Sequence, residues 1–171
     1  MQAEERQRYR IPEAERPSYY RKALPSDASL FLLRVHSFEA GQPMGEVVNL
    51  YTEEIETFTG YTDALLIMDR VMDGLNFPQA ATARRHLTEK TAAAEQNNVI
   101  CGQQPRYQYW SYEVLRRGGK KLSVLVRVIY RQSSSWQGQL SVTGKKVIFR
   151  SALELLHLLT EAEQEVRAKE S

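Results

Sequence analysis

One pattern of short apolar segments occurs twice in this chain of 171 residues, and it limits the possible folds more than any other feature. Residues 32–35 (Leu-Leu-Arg-Val) match residues 125–128 (Leu-Val-Arg-Val). Such runs, bounded by polar residues, are typical of strands that are buried on at least one face. Two further short strands and an apolar helix follow each run. The order strand–strand–strand–helix therefore recurs about 93 residues apart.

The two copies share details beyond this order. In the first copy, a strand around Gly45 is followed by a strand that ends at Phe58. In the second copy, the corresponding residues are Gly138 and Phe149. We therefore predict a duplicated β-β-β-α unit. The alternative is that two unrelated segments of this kind resemble each other by chance.

Each copy ends in a predicted amphipathic helix. Thr62 is the candidate N-cap of the first helix, and Gly74 is its candidate end. In the second helix, Ser151 and Glu154 form a capping box, in which each side chain satisfies a free backbone N–H group near the helix start. From Thr160 onward the chain is rich in charge, and we expect it to fray.

The predicted fold class is α+β, with two pseudo-repeated β-β-β-α units whose antiparallel sheets are each packed by a helix. A single sheet shared by both units is the main alternative. The predicted segments are a mobile leader (1–29), the first unit (30–76), a helical linker (77–104), the second unit with an extra N-terminal strand (105–160) and a charged tail (161–171).

The clearest hairpin signal lies between residues 107 and 131. Residues 107–116 are rich in aromatic side chains that alternate with others, and residues 121–131 contain the second apolar run. Gly118 and Gly119, between these segments, accept the positive φ angles of a tight turn. We therefore predict that the two segments pair as a hairpin.

The net charge of +2 conceals a strong asymmetry along the chain. Residues 23–104 contain five basic and eleven acidic side chains, whereas residues 105–150 contain ten basic and one acidic. Such an asymmetry bears on the partners of a protein and on the attraction between its halves.

The basic segment is the strongest functional signal, because its cations lie among aromatic residues. Cations hold phosphates by charge, and aromatic rings stack on bases. Lysines also protect sheet edges against aggregation and aromatic rings also fill cores, so a structural role is the alternative. The candidate residues for binding nucleic acid or another polyanion are Arg106, Tyr109, Trp110, Arg116, Arg117, Lys120, Lys121, Arg131, Lys145 and Lys146.

Other chemically capable residues give weaker signals. Asp69 and Asp73 lie one helical turn apart, as metal ligands can, but a solvated helix face is the favoured interpretation. Cys101 is the only cysteine and is interpreted as a small buried side chain. We predict no catalytic residue, no metal and no cofactor. An enzyme would need residues that only the fold brings together, such as His36, Cys101 and Asp63.

Trp136, Gly138 and Phe149 are predicted to be structural anchors. A tryptophan buries a large area, and a glycine in a strand allows another backbone to approach closely. We assign Trp136 to the sheet core or to the contact between the units, with a recognition surface as the alternative.

Parts of both units resemble a widespread group of small bacterial proteins of unassigned function. The similar stretches are residues 127–138 and 149–156, with shorter similarities at 67–69 (Ile-Met-Asp) and 77–79 (Phe-Pro-Gln). The likeness extends over most of residues 30–160. Such proteins often belong to mobile elements, so the resemblance implies accessory roles, including interference with host defence. It transfers no catalytic residue.

The sequence as a whole predicts a cytoplasmic, non-enzymatic interaction protein whose partner is nucleic acid or a nucleoprotein complex. One alternative is a self-associating scaffold, such as a homodimer, in which the acidic unit docks on the basic unit of a second copy. Another is an enzyme with a site between the units. We expect no membrane association, because no run approaches the roughly 18 apolar residues that a span needs.

Overall fold

The computed structural model describes residues 24, 26–49, 51–52, 55–80, 85, 87, 118–132 and 135–170. These residues form an α+β fold with one antiparallel sheet of six strands and two α-helices. A short 3₁₀ helix (Ser26–Ser29) leads into the first strand. The elements are β1 (Leu30–Glu39), β2 (Gln42–Asn49), β3 (Ile55–Thr59), α1 (Tyr61–Leu75), β4 (Leu122–Tyr130), β5 (Gln137–Val142), β6 (Lys145–Phe149) and α2 (Ala152–Glu170).

The strand order in the sheet is β3-β2-β1-β4-β5-β6. The prediction of two separate sheets is therefore wrong, and the alternative of one shared sheet is correct. The two halves join because β1 and β4 pair in an antiparallel register that runs from Leu30 opposite Arg127 to Val35 opposite Leu122. This pairing removes two open strand edges that separate sheets would have exposed.

The predicted hairpin between residues 107–116 and β4 is also wrong. Strand β4 has β1 on one side and β5 on the other, so both of its hydrogen-bonding edges are occupied. Residues 107–116 themselves lie outside the described residues. Gly119 serves a different purpose from a hairpin turn, because a Cβ atom there would lie 2.5 Å from the backbone nitrogen and oxygen of Val35.

The hairpins of the two halves have the same register. Val35 pairs with Gly45 in the β1–β2 ladder, and Val128 pairs with Gly138 in the β4–β5 ladder. A register irregularity follows directly after Val35 and after Val128. Both glycines press against the neighbouring strand, so each marks a place where no side chain fits.

The hydrophobic core lies between one face of the sheet and the two helices. Full burial of one large apolar side chain contributes about 1.5–3 kcal/mol. Trp136 packs, partly buried, at the border of this core, and Phe149 lies inside it opposite Gly138. The largest fully buried side chains of the core are Phe31, Leu33, Val35, Met68, Met72, Val124, Val126, Leu140, Phe149, Leu155 and Leu159.

The opposite face of the sheet is called the far face below. Because side chains alternate along a strand, the residues between the core positions of β1 lie on it, namely Leu32 and Arg34. No helix of the described part is both long and apolar enough to cross a membrane.

The N-cap of helix α1 lies two residues before the predicted Thr62, and the residue that stops the helix lies two residues after the predicted Gly74. The helix starts at Tyr61 after Gly60, whose φ of 81° suits a glycine, and Asp63 accepts a hydrogen bond from the backbone N–H of Thr59 at 3.1 Å. It ends at Leu75, and the left-handed residue that stops it is Asn76.

The predicted capping interactions of α2 are present. The backbone N–H of Glu154 donates to Ser151 Oγ at 3.0 Å, and the Glu154 carboxylate accepts the backbone N–H of Arg150 at 2.7 Å. The prediction of fraying from Thr160 is wrong, since the helix continues to Glu170. Its last turns pack on the core through Ala162, among others.

We predict that Gly45→Ala and Gly138→Ala each destabilise the fold strongly. A Cβ atom would lie 1.8 Å from the carbonyl oxygen of Arg34 at the first position and 2.0 Å from that of Arg127 at the second. We expect each variant to lose about 3 kcal/mol of unfolding free energy in chemical denaturation, the upper end of the cost of overpacking. Gly41→Ala is the control, because no atom lies within 4 Å there and only its positive φ opposes a side chain. Similar losses in all three variants would contradict the prediction.

A candidate polyanion-binding end of the sheet

Two pairs of lysines from separate parts of the chain meet at one end of the sheet. Lys120 and Lys121 come directly before β4, and Lys145 and Lys146 begin β6. Strand β5 is antiparallel to both β4 and β6, so the start of β4 and the β5–β6 turn lie at the same end. We call these four residues the lysine end.

All four side chains of the lysine end are exposed, and α2 offsets part of their charge. Lys121 Nζ lies 2.8 Å from Glu170, and Lys145 Nζ lies 3.1 Å from Glu165. Lys120 and Lys146 have no ion pair within the described part of the chain. Since exposed ion pairs contribute only about 0–1 kcal/mol, a phosphate can replace either glutamate at small cost.

Five of the ten predicted binding residues lie outside the described residues, namely Arg106, Tyr109, Trp110, Arg116 and Arg117. In the sequence, Arg116 and Arg117 directly precede Gly118. Gly118 lies against the side chain of Ser123 in β4 and is therefore near the lysine end.

Arg131 lies at the opposite end of the sheet and is 6% exposed. Its Nε donates to the carbonyl oxygen of Pro78 at 2.8 Å, and its Nη1 donates to Asp73 at 2.5 Å and to Asp69 at 3.3 Å. The side chain therefore joins the end of β4, the last turns of α1 and the segment after α1. We leave it out of the binding surface.

The same contacts account for the paired aspartates of α1. Asp69 and Asp73 both contact the guanidinium group of Arg131, so they lie neither at a metal site nor on a face that only water contacts. No group of three histidine, cysteine, aspartate or glutamate side chains with the geometry of a metal site occurs among the described residues.

We predict that Arg131→Met lowers the unfolding free energy by about 2–3 kcal/mol, because it leaves two carboxylates and a carbonyl oxygen without their cation. Arg131→Lys should recover only part of this loss, since lysine has a single nitrogen whereas Arg131 reaches these groups from two, Nε and Nη1. Arg150→Met, at an exposed site, should stay within about 0.5 kcal/mol of the parent. Urea denaturation measures all three. An equal effect of the two methionine variants would contradict an internal role for Arg131.

A polar cluster lies on the far face next to the lysine end. The carboxylate of Glu46 is 3.5 Å from Arg34 Nη1 and 3.4 Å from His36 Nε2. The backbone N–H of Lys120 donates to His36 Nδ1 at 3.4 Å. The histidine thus connects the start of β4 to the end of β1.

The residues considered for an enzyme are not brought together within the described part of the chain. The contacts of His36 are with Glu46 and Lys120, while Asp63 binds the backbone before α1. Cys101 lies outside the described residues.

Sequence reasoning missed a buried charged cluster between the two helices. Glu163 of α2 is buried, and Arg167 one turn later donates to it at 2.8 Å. Arg167 also lies over the ring of Phe38 at 4.4 Å. Tyr61 lies beside this pair: its burial, and then the negative charge of Glu163, raise its pKa above the usual 10.0, while Arg167 opposes the shift. The glutamate–arginine spacing of four residues was the available signal.

The raised pKa of Tyr61 predicts a loss of stability at high pH. Below about pH 10 the phenol is neutral in both the folded and the unfolded chain, so it adds no pH dependence. Above that pH the unfolded chain releases the proton more readily, and the unfolding free energy falls. Tyr61→Phe should remove this part of the fall, as measured by urea denaturation between about pH 9 and pH 11. Tyr130→Phe is the exposed control. An unchanged pH dependence in Tyr61→Phe would contradict the assignment.

Comparisons of the chain with protein-family models, curated proteins and solved structures found no match. The fold and the site define an α+β protein with a cationic end on an antiparallel sheet. The chemistry of that end is therefore the basis for assigning a function.

Proposed function

We propose that this chain is a non-enzymatic interaction protein that binds nucleic acid, free or in a nucleoprotein complex, through the lysine end. The observation that supports this most is the meeting of four exposed lysines from two separate segments at one end of the sheet. Phosphate backbones bind to such clusters because each contact releases condensed counterions. Arg116 and Arg117 would add two further cations beside Gly118.

The proposed mechanism is phosphate neutralisation. Lys120 and Lys146 offer charge directly, whereas Lys121 and Lys145 would exchange a glutamate of α2 for a phosphate. Stacking of bases on Tyr109 or Trp110 would add about 1–3 kcal/mol per base. Both of these residues lie outside the described part of the chain.

We also infer that the two halves are copies of one β-β-β-α unit. Leu32 lies opposite Leu125 at the centre of the β1–β4 ladder, 93 residues apart, and the two glycine-containing hairpin pairs are separated by the same interval. A twofold axis through the central pair would therefore relate the two registers. Charge distinguishes the copies, because Lys145 precedes Phe149 by four residues whereas Glu54 precedes Phe58 by four.

A self-associating scaffold is the second candidate, and the edge strand β6 favours it. Val147 and Ile148 are exposed on this strand, as is Leu153 at the start of α2. Sedimentation at two salt concentrations separates the candidates, because docking of an acidic unit on a basic one weakens as salt screens the charges. The resemblance to proteins of mobile elements adds a host nucleoprotein complex as a candidate partner.

We predict that reversing the two lysines without an ion pair in the described part weakens binding. In Lys120→Glu/Lys146→Glu, the affinity for a fluorescent 20-nucleotide DNA should fall about tenfold or more, and the slope of log affinity against log salt should shrink by about two. The measurement is fluorescence anisotropy over a series of salt concentrations, with single-stranded and duplex probes.

The matched control for this experiment is Arg85→Glu/Arg150→Glu. It changes the net charge by the same amount at two exposed positions, and Arg150 follows the end of β6 that lies opposite Lys145 and Lys146. We expect its affinity to fall less than about threefold, since the remaining effect is long-range and screened. Equal losses in both variants, or no binding by the parent protein at low salt, would overturn the proposal. Thermal unfolding of each variant checks that it is folded.

A further inference from the structure

The far face of β4, β5 and β6 presents an aromatic side chain to solvent. Tyr130, the last residue of β4, is 57% exposed and pairs with the exposed Gln137 of β5. Gln137 lies between Trp136, which packs against the core, and Gly138, which is opposite a core residue of β6. Side chains alternate along a strand, and directly paired residues share a face. Gln137 and Tyr130 therefore both lie on the far face.

A register irregularity in β4 puts the tyrosine there. Between Val128 and Tyr130, β4 has one residue more than β5. Without this extra residue, Ile129 would be opposite Gln137, and Tyr130 would be opposite Trp136 on the side of the core. Bulges of this kind often re-aim a side chain beside a functional site. The irregularity therefore directs the ring away from the core and into solvent.

The side chains around this tyrosine favour an anionic occupant. Residues 114–153 contain no aspartate or glutamate, and this interval includes all of β4, β5 and β6. On the far face, Gln139 lies on β5, and the exposed Lys146 of β6 is opposite Ser141. Ile148, opposite Gln139, is 73% exposed, so this part of the face is open to solvent. Amide side chains can hydrogen-bond to the edges of unpaired bases, and cations attract phosphates.

The same positions of the β1–β2 ladder carry different side chains. The pair that follows its register irregularity is Ser37 and Met44, where the β4–β5 ladder has Tyr130 and Gln137. Two residues after Met44, Glu46 takes the place that Gln139 has in β5. The two ladders share their backbone register, so they differ here in chemistry alone. A hydroxyl group and a carboxylate suit a nucleic acid poorly, whereas a ring and an amide suit it well.

Tyr130 and the lysine end lie on one diagonal of the far face. Tyr130 pairs with Gln137, which precedes Ser141 by four residues, or about 14 Å of strand. Lys146 lies two strands from β4, or about 10 Å sideways. At about 3.4 Å per stacked nucleotide, on the order of five nucleotides cover this diagonal of roughly 17 Å. The diagonal leaves β6 near its start, so Arg150, after the end of β6, lies off this path.

We propose that the far face of β4–β6 binds single-stranded nucleic acid, with one base stacked on Tyr130 and the phosphates leading to the lysine end. This inference rests on the proposed function and specifies its ligand. The bases of a duplex are already paired and stacked, so only an unpaired base can reach the ring. Gln137 and Gln139 offer hydrogen bonds to base edges along the diagonal. The lysines attract any polyanion, whereas Tyr130 provides the preference for single strands.

The test measures fluorescence anisotropy with the same DNA as a single strand and as a duplex. Tyr130→Ala should weaken single-strand binding about tenfold and duplex binding less than about twofold. The slope of log affinity against log salt should not change, because no cation is removed. Tyr130→Phe keeps the ring and should stay within about twofold of the parent. Gln139→Glu, which copies the carboxylate of the other ladder, should weaken single-strand binding about threefold. Leu66→Ala, an exposed apolar truncation on α1, is the control and should have no effect.

A probe whose nucleotides lack bases separates stacking from charge. On this probe, Tyr130→Ala should lose less than about twofold, because the partner of the ring is already absent. Equal losses on all three probes would overturn the inference. So would an unchanged affinity of Tyr130→Ala while Lys120→Glu/Lys146→Glu weakens binding, and this result would leave the proposed function standing.

Two further outcomes of these measurements would also count against the inference. Absence of binding by the parent at low salt would overturn both the inference and the proposed function. Self-association of the parent that disappears in Tyr130→Ala, as measured by sedimentation, would identify the face as a protein interface and overturn the inference. Thermal unfolding of each variant checks that it is folded.

Discussion

The pairing of β1 with β4 is the interaction on which the rest of the structure depends. It joins two hairpin-and-helix halves into one sheet and leaves only β3 and β6 as edges. It also decides which loops are neighbours, because the end of β1 lies beside the start of β4. The β5–β6 turn lies at that same end, so Lys145 and Lys146 lie at the same end of the sheet as Lys120 and Lys121, with β5 between the two strands that carry them. The lysine end is thus a consequence of strand order.

The register of the sheet needs protection, because a slip by one residue would move every core side chain to the far face. Gly45 and Gly138 supply this protection in the two halves. Each sits where the neighbouring carbonyl oxygen leaves no space for a side chain, so only one alignment brings a glycine there. The difference between the two faces of the sheet also protects the register. At the centre of β1 the face that packs on the helices carries apolar side chains, whereas the far face includes the charged Arg34.

Local patterns predicted much of the fold, whereas contacts between distant residues were not predicted. The glycine-containing hairpins, the terminal phenylalanines and the Ser151–Glu154 cap are all encoded within a few residues. A single shared sheet and two separate sheets require the same alternation of apolar and polar side chains along each strand. The sequence therefore did not decide between these two architectures. Arg131 resembled its basic neighbours in sequence, but its carboxylate partners lie 58 and 62 residues away. The sequence of the last turns of α2 looked too polar for these turns to pack on the core. Glu163 is nevertheless buried there, and Arg167 donates a hydrogen bond to its carboxylate.

The last turns of α2 link the buried charge to the exposed charge. Glu163 and Arg167 hold this part of the helix against Tyr61 and Phe38, and the intervening and following positions carry the glutamates that contact the lysine end. These glutamates form ion pairs with two of the four lysines, Lys121 and Lys145. Breaking each exposed ion pair costs about 0–1 kcal/mol. A single small anion that binds one of these exposed lysines gains no more than about 0–1 kcal/mol. Under the proposed function, a chain of phosphates would contact several of these lysines together, and the release of several counterions would add up. The proposed function therefore includes a preference for polyanions over small anions.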